Sequence, residues 1–239
     1  MVSVRRIIMN PERAIGRGAG PDGARSERPS GSTPLLIPQH GRMQRLAGAG
    51  GGGRSVRSIA ERWAVEHLAR GRIVHWVDGA CRIDPSRFLT PLAACGVRPR
   101  EGLMRLMVSR GFTLHQSVAQ IARLPQEMAR TGSKVVILDG MLVMHLDPQV
   151  SSRESRALLR RSLSVLERLS GEGVQLLVTT EDRASTPHHA HLLQLVQRSS
   201  SEVILPPTSA PIRLPSPASD GLVTLDRFGL FKERCFLEP

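Results

Sequence analysis

The sequence predicts an α/β fold, a mostly parallel sheet flanked by helices and followed by a C-terminal β-hairpin. Short apolar runs such as Val135–Leu138 and Val174–Val178 alternate with longer segments of helical periodicity, the pattern of repeated β-α-β units. Val135–Leu138 is continuously apolar, as in a strand covered on both faces, and Val174–Val178 is broken only by Gln175. Aromatic residues make up only 3% and tyrosine is absent, so the 40% hydrophobic fraction must build its core from Leu, Val, Ile, Ala and Met. That composition suits sheet-and-helix layers better than an aromatic-rich sandwich.

Residues 11–33 are rich in Gly, Pro, Ser and Arg and nearly lack large apolar side chains, so residues 1–34 read as a disordered basic lead-in and 35–239 as one domain. Met43–Ala47 reads as a strand entering a glycine loop, and Val56–Ala69 as a helix with apolar residues at i, i+4 spacing. Ile73–Val77 is a strand, Ser86–Cys95 a helix after Pro85, and Leu106–Val108 a short strand. His115–Arg130 is helical with a bend expected at Pro125, and Val135–Leu138 is a central strand. Ser152–Ser170 forms a long helix stopped by Gly171 and Gly173, followed by strand Val174–Val178. A helix around His188–Val196 and a strand Glu202–Leu205 come next. Pro206–Asp220, with five prolines, reads as an extended connection, and Leu222–Leu225 with Leu230–Phe236 as a hairpin turning at Phe228-Gly229.

Lysine and arginine number 33 against 21 acidic residues, a net charge of +12. Such a surplus favours polyanions, nucleic acid before anionic membrane, because no long amphipathic basic helix suggests a membrane surface. The scarcity of aromatics argues against base-stacking single-strand platforms, so contacts with DNA are expected through backbone phosphates. Cys81, Cys95 and Cys235 lack CxxC spacing and suggest neither a zinc site nor a disulfide framework, which makes a reducing cytoplasm the expected location. Met1–Asn10 is too short and broken for a signal peptide, and no apolar run reaches the ~18 residues of a membrane span.

The chemistry-bearing motif is Gly48-Ala49-Gly50-Gly51-Gly52-Gly53-Arg54-Ser55, which fits G-x-x-x-x-G-[basic]-S between a strand and a helix. Glycines let successive backbone N–H groups face a phosphate, and the helix N-terminus adds partial positive charge. Gly48, Gly50, Gly51, Gly52, Gly53, Arg54 and Ser55 are therefore the expected nucleotide-binding residues. Arg54 stands where such loops carry lysine, replacing a point charge with a planar fork. The Ser55 hydroxyl is a candidate Mg²⁺ ligand, and Asp139, at the end of a buried strand, is the second.

With these pieces in order, the sequence resembles the RecA/RadA recombinase family over roughly residues 37–182. The match runs through Gly41–Gly48 before the loop, Val74-His75-Trp76-Val77-Asp78 with Asp84–Phe88, Phe112–Gln116, Val135–Asp139 and Gln175–Glu181. It implies a RecA-like P-loop core, ATP and Mg²⁺ as cofactors, a role in DNA recombination or repair, and DNA, a recombinase partner or self-association as partners. It also places Glu181 at the position sensing the γ-phosphate. Residues 182–190 fall on a DNA-facing loop in which Arg183, His188 and His189 are the donors. The departures point to slow or absent hydrolysis: the loop lysine is Arg54, and the family's catalytic glutamate falls on Ala80, which can neither orient a water nor accept its proton. Asp78 and Asp84 lie nearby with different spacing. The alternative reading is a non-enzymatic pseudo-ATPase adaptor, or a P-loop regulator unrelated to DNA.

Two clusters stay open between readings. His188, His189 and His191 could ligate a metal, but no further ligand has suitable spacing beyond Glu181 and Asp182. Arg153, Arg156, Arg160, Arg161 and Arg168 share one helix with Glu154 and Glu167, either as a phosphate-binding face or as a solvated one.

Overall fold

The structure, a computed structural model, describes residues 42–202 and the backbone of residues 212–213, 224–225 and 231–232. Its centre is a six-stranded all-parallel sheet in the order β3-β2-β4-β5-β1-β6. The strands are β1 Met43–Gly48, β2 Val74–Asp78, β3 Leu106–Arg110, β4 Val135–Asp139, β5 Gln175–Glu181 and β6 Ser200–Glu202. The helices are α1 Arg57–Ala69, α2 Leu89–Ala94, α3 Pro99–Leu103, α4 Leu114–Thr131, α5 Ser152–Gly171 and α6 Pro187–Ser199.

Alternation along the central strands divides the core into two layers. Val136 and Leu138 of β4, with Leu176 and Val178 of β5, pack beneath α4, α5 and α6. Val135, Ile137 and Leu177 face the other way, against Trp63, Ala64 and Leu68 of α1 and Leu92 of α2. Every residue of β2 and β4 is buried, so the continuous apolar runs in the sequence correspond to strands covered on both sides.

Helix starts follow local chemistry. Thr113, Ser151 and Thr186 cap α4, α5 and α6, each accepting from a backbone N–H three residues on. Asp84 accepts from Ser86 N–H at 3.0 Å and Pro85 follows it, so the segment read as one helix over Ser86–Cys95 opens as a 3-10 turn, Pro85–Phe88, before α2. The short α3 escaped the sequence reading, and α4 continues through Pro125. β6 begins at Ser200, directly after α6, rather than at Glu202.

In the C-terminal part, β7 (Ile212–Arg213), β8 (Thr224–Leu225) and β9 (Phe231–Lys232) form an antiparallel three-stranded sheet. β7 falls inside the stretch read as an extended connection. The basic lead-in, residues 35–41, the end of the strand read as Glu202–Leu205, Cys235 and the turn at Phe228-Gly229 lie outside the described residues. No helix among the described residues is long and apolar enough to cross a membrane.

Two buried histidines couple this fold to pH. Burial lowers His145 to about 4, against an opposing hydrogen bond from its Nδ1 to the Ser155 carbonyl. Burial, with Arg72 and Arg70 nearby, likewise lowers His67 to about 4. Both rings stay neutral in the folded protein at pH values where the unfolded chain, titrating near 6.5, takes up protons. Their stabilising contribution is complete above ~6.5 and is lost as pH falls toward ~4, the loss amounting to about 1.4 kcal/mol per histidine by pH ~5.5. Urea midpoints are expected to fall between pH ~7.5 and ~5.5, and His145→Gln should flatten part of that fall. An unchanged slope in His145→Gln would remove this residue from the account.

Candidate functional site

The carboxyl ends of five strands meet at one edge of the sheet, where ligands sit in open parallel sheets. Gly48 of β1 pairs with Glu181 of β5. Asp78 of β2 lies between Asp139 of β4 and Arg110 of β3. The glycine loop leaves β1 there and runs through a 3-10 turn, Arg54–Val56, into α1. Loop, helix start, Asp139 and Glu181 are thus brought together at this edge.

The loop is pressed down onto the sheet. Gly52 and Gly53 have φ of +62° and +70°. A β-carbon on Gly52 would meet Gly140 Cα at 2.9 Å and Val143 Cγ2 at 2.8 Å, and one on Gly53 would strike the Thr180 carbonyl. Only glycine fits such a close approach in the left-handed region.

Each of the five N–H groups from Gly52 to Val56 already has an acceptor within the chain. Gly52 N–H donates to the Glu181 carboxylate. Gly53 and Arg54 donate to the Gly50 carbonyl at 2.9 and 3.4 Å, Ser55 to Ala49 at 3.0 Å, and Val56 to Gly53 at 3.1 Å. A phosphate-binding nest needs these donors to converge on the anion; here they close the loop on itself.

The cation at the site is Arg82. Its Nε and Nη2 bind the two oxygens of Asp139 at 3.0 and 2.6 Å. Nη1 donates to the Gly51 carbonyl at 2.6 Å and Nη2 to the Gly52 carbonyl at 2.9 Å. One guanidinium therefore ties β4 to the loop. Asp139 is fully buried, and its Oδ1 also accepts from the Thr179 hydroxyl at 2.9 Å. Arg82 is held from behind by Asp78, likewise fully buried. Asp78 accepts from the backbone N–H groups of Arg82 and Ile83, each at 3.0 Å, and from Arg110 at 2.7 and 2.9 Å. Beside them Arg57 Nε lies 3.0 Å from Glu61, and Arg87 2.8 Å from the same carboxylate. Burial pushes Glu61 upward against the pull of Arg57 and Arg87.

These contacts test the fit of Mg²⁺ and ATP. Both oxygens of Asp139 face a guanidinium, so a divalent cation would have to displace Arg82. The loop's donors are taken by Glu181 and by the loop itself. The arrangement does not fit either group. Arg54, expected to grip phosphates, is exposed at the start of the 3-10 turn, and Ser55 Oγ lies close over Gly48. At the position of the family's glutamate, the Ala80 methyl lies over Gly140.

Glu181 holds the loop through the Gly52 N–H. Its other oxygen lies 3.4 Å from His189 Nε2, and His189 Nδ1 accepts from Ser185 N–H at 3.2 Å. His189 is 1% exposed. This corrects its expected place on a DNA-facing loop: α6 starts at Pro187, and the cap at Thr186 turns the ring inward. His188 is half-buried in the same helical turn, whereas Arg183 is exposed in the 182–186 connection. Among the described residues no group of three His, Cys, Asp or Glu side chains could hold a metal, the histidine cluster included.

Sequence reasoning missed Arg82, Arg57, Arg110, Thr179 and Glu61, and noted Asp78 only as a carboxylate near the Ala80 position. One signal was readable: an arginine four residues past a strand-ending aspartate, in a chain whose loop lacks lysine. No protein-family model matches the chain, and no curated protein matches it.

Proposed function

We propose that the chain is a RecA/RadA-like paralogue of DNA recombination or repair that does not turn over ATP. It works as a basic scaffold for DNA or a recombinase partner. The P-loop signature on a strand-to-helix turn, Asp139 at the end of β4 with β5 between it and β1, and the charge of +12 support the lineage and the polyanion partner. The observation that carries the loss of turnover is Arg82, bonded at once to Asp139 and to the Gly51 and Gly52 carbonyls. An intramolecular cation has a very high effective concentration compared with a dilute ligand. A nucleotide would have to break these bonds and those of Glu181 before making its own. Of the readings the sequence leaves open, the pseudo-ATPase adaptor is therefore the best supported.

Calorimetric titration with ATP, with and without Mg²⁺, is expected to show no saturable binding by the full chain. Micromolar binding by the wild type would overturn the proposal. Ala80→Glu is expected to leave ATP hydrolysis at background, because restoring one carboxylate does not free the loop. Turnover appearing in that variant would show that only the missing glutamate separates this chain from a working ATPase.

A further inference from the structure

The outer face of α5 carries a charge pattern that the site at the strand ends does not use. α5 is the middle helix of its layer, packed between α4 and α6. Its inward stripe is Leu159, Leu163, Leu166 and Leu169, and its outward face carries Arg153, Arg160, Arg161 and Arg168, all exposed. Among the described residues none of these four takes part in an ion pair, whereas Arg57, Arg87 and Arg98 in the opposite layer are each held by a glutamate.

At 100° per residue, Arg153 and Arg160 form one row and Arg161 and Arg168 another, each pair about 10.5 Å apart along the axis. Ala157 and Ser164 lie between the rows, so nothing bulky stands between the guanidinium groups. Exposed Arg123 of α4 adds to the same layer. Two acidic residues on α5, Glu154 (3.2 Å from His115) and Glu167, stand against these four arginines.

We infer that the outer face of α5 is a docking surface for the phosphate backbone of duplex DNA. Arginine forks match phosphate oxygens in pairs. The face has no aromatic side chain on which an unpaired base could stack, which favours duplex over single strand and contact without sequence preference. This inference rests on the DNA reading above and assigns it a location.

The test compares the full-length wild type with Arg153→Ala/Arg160→Ala/Arg161→Ala/Arg168→Ala. Arginine to alanine is nearly neutral on an exposed helix, so the fold is retained, and an unchanged thermal midpoint checks this. Affinity for a fluorescent duplex is measured between about 50 and 200 mM salt. The log–log salt slope is expected to become shallower by about 2 to 4, at roughly 0.9 for each phosphate that is no longer neutralised. A control, Arg98→Ala/Arg130→Ala, removes two arginines already paired with Glu101 and Glu127 and should keep the wild-type slope. A wild-type slope in the quadruple variant overturns the α5 surface while leaving DNA binding intact. A loss in the control about half as large, in proportion to the two charges it removes, reduces the effect to net charge and also overturns it. Tighter binding to single strand than to duplex overturns the choice of ligand. Absence of salt-dependent DNA binding by the wild type removes the DNA reading itself.

Discussion

Asp139→Ala is expected to destabilise the protein by about 3–5 kcal/mol, the usual loss when one partner of a buried ion pair is removed. The carboxylate is 0% exposed and receives two bonds from Arg82 and one from Thr179, with Arg57 Nε at 3.7 Å. Without it, the Arg82 side chain, only 15% exposed, keeps its charge and loses its compensating partner. The Thr179 hydroxyl retains the Gly140 N–H and the Gly52 carbonyl at 2.8 and 3.0 Å, so the loss falls mainly on the arginine. Urea denaturation reads it as a lower midpoint at constant m. Arg82→Met in the same chain should recover a large part, because an uncharged pair of similar volume is often no less stable than the ion pair it replaces. The opposite outcome is informative. A carboxylate kept free for a metal ion would be an uncompensated buried charge, and its removal would leave stability unchanged or raised.

That contrast marks what the sequence could convey. Strand positions were legible to within a residue or two for β1 to β4, most plainly at the continuous apolar run Val135–Leu138. Capped, amphipathic helices such as α4 and α5 were legible from the helical spacing of their apolar residues. The site was legible only as a set of places. Gly48–Ser55, Asp139 and Glu181 do meet at one edge, but their partners come from side chains that sequence spacing does not rank. Arg82 follows Asp78 by four residues and is one of 33 basic residues in the chain. Its selection depends on a turn in which Asp78 holds the backbone of Arg82 and Ile83, so that the side chain swings over β4. His189 was misplaced for a related reason. Whether Pro187 continues a loop or opens a helix depends on Thr186 acting as a cap, and that decides whether the ring faces solvent or Glu181.

The glycine loop provides the sharper test, because two neighbouring glycines should answer differently. Gly53→Ala is expected to lower stability by about 3 kcal/mol or more, the sum of a left-handed alanine at roughly 1–2 kcal/mol and an overpacking term of similar size. The added methyl has no flexible neighbour to displace: it meets backbone, with Thr180 C at 2.9 Å and Thr180 N at 3.1 Å. Gly51→Ala meets nothing within 4 Å and has no positive φ, so it should be neutral or slightly stabilising through the unfolded state. Thermal midpoints of the two variants measure the difference directly. If the loop instead stood open to receive a phosphate, residue 53 would be lifted from β5 and the two substitutions would converge on small effects. A large gap between them is the signature of a loop whose glycines serve packing against Thr180 and Gly140, with Arg82 and Glu181 holding it from either side.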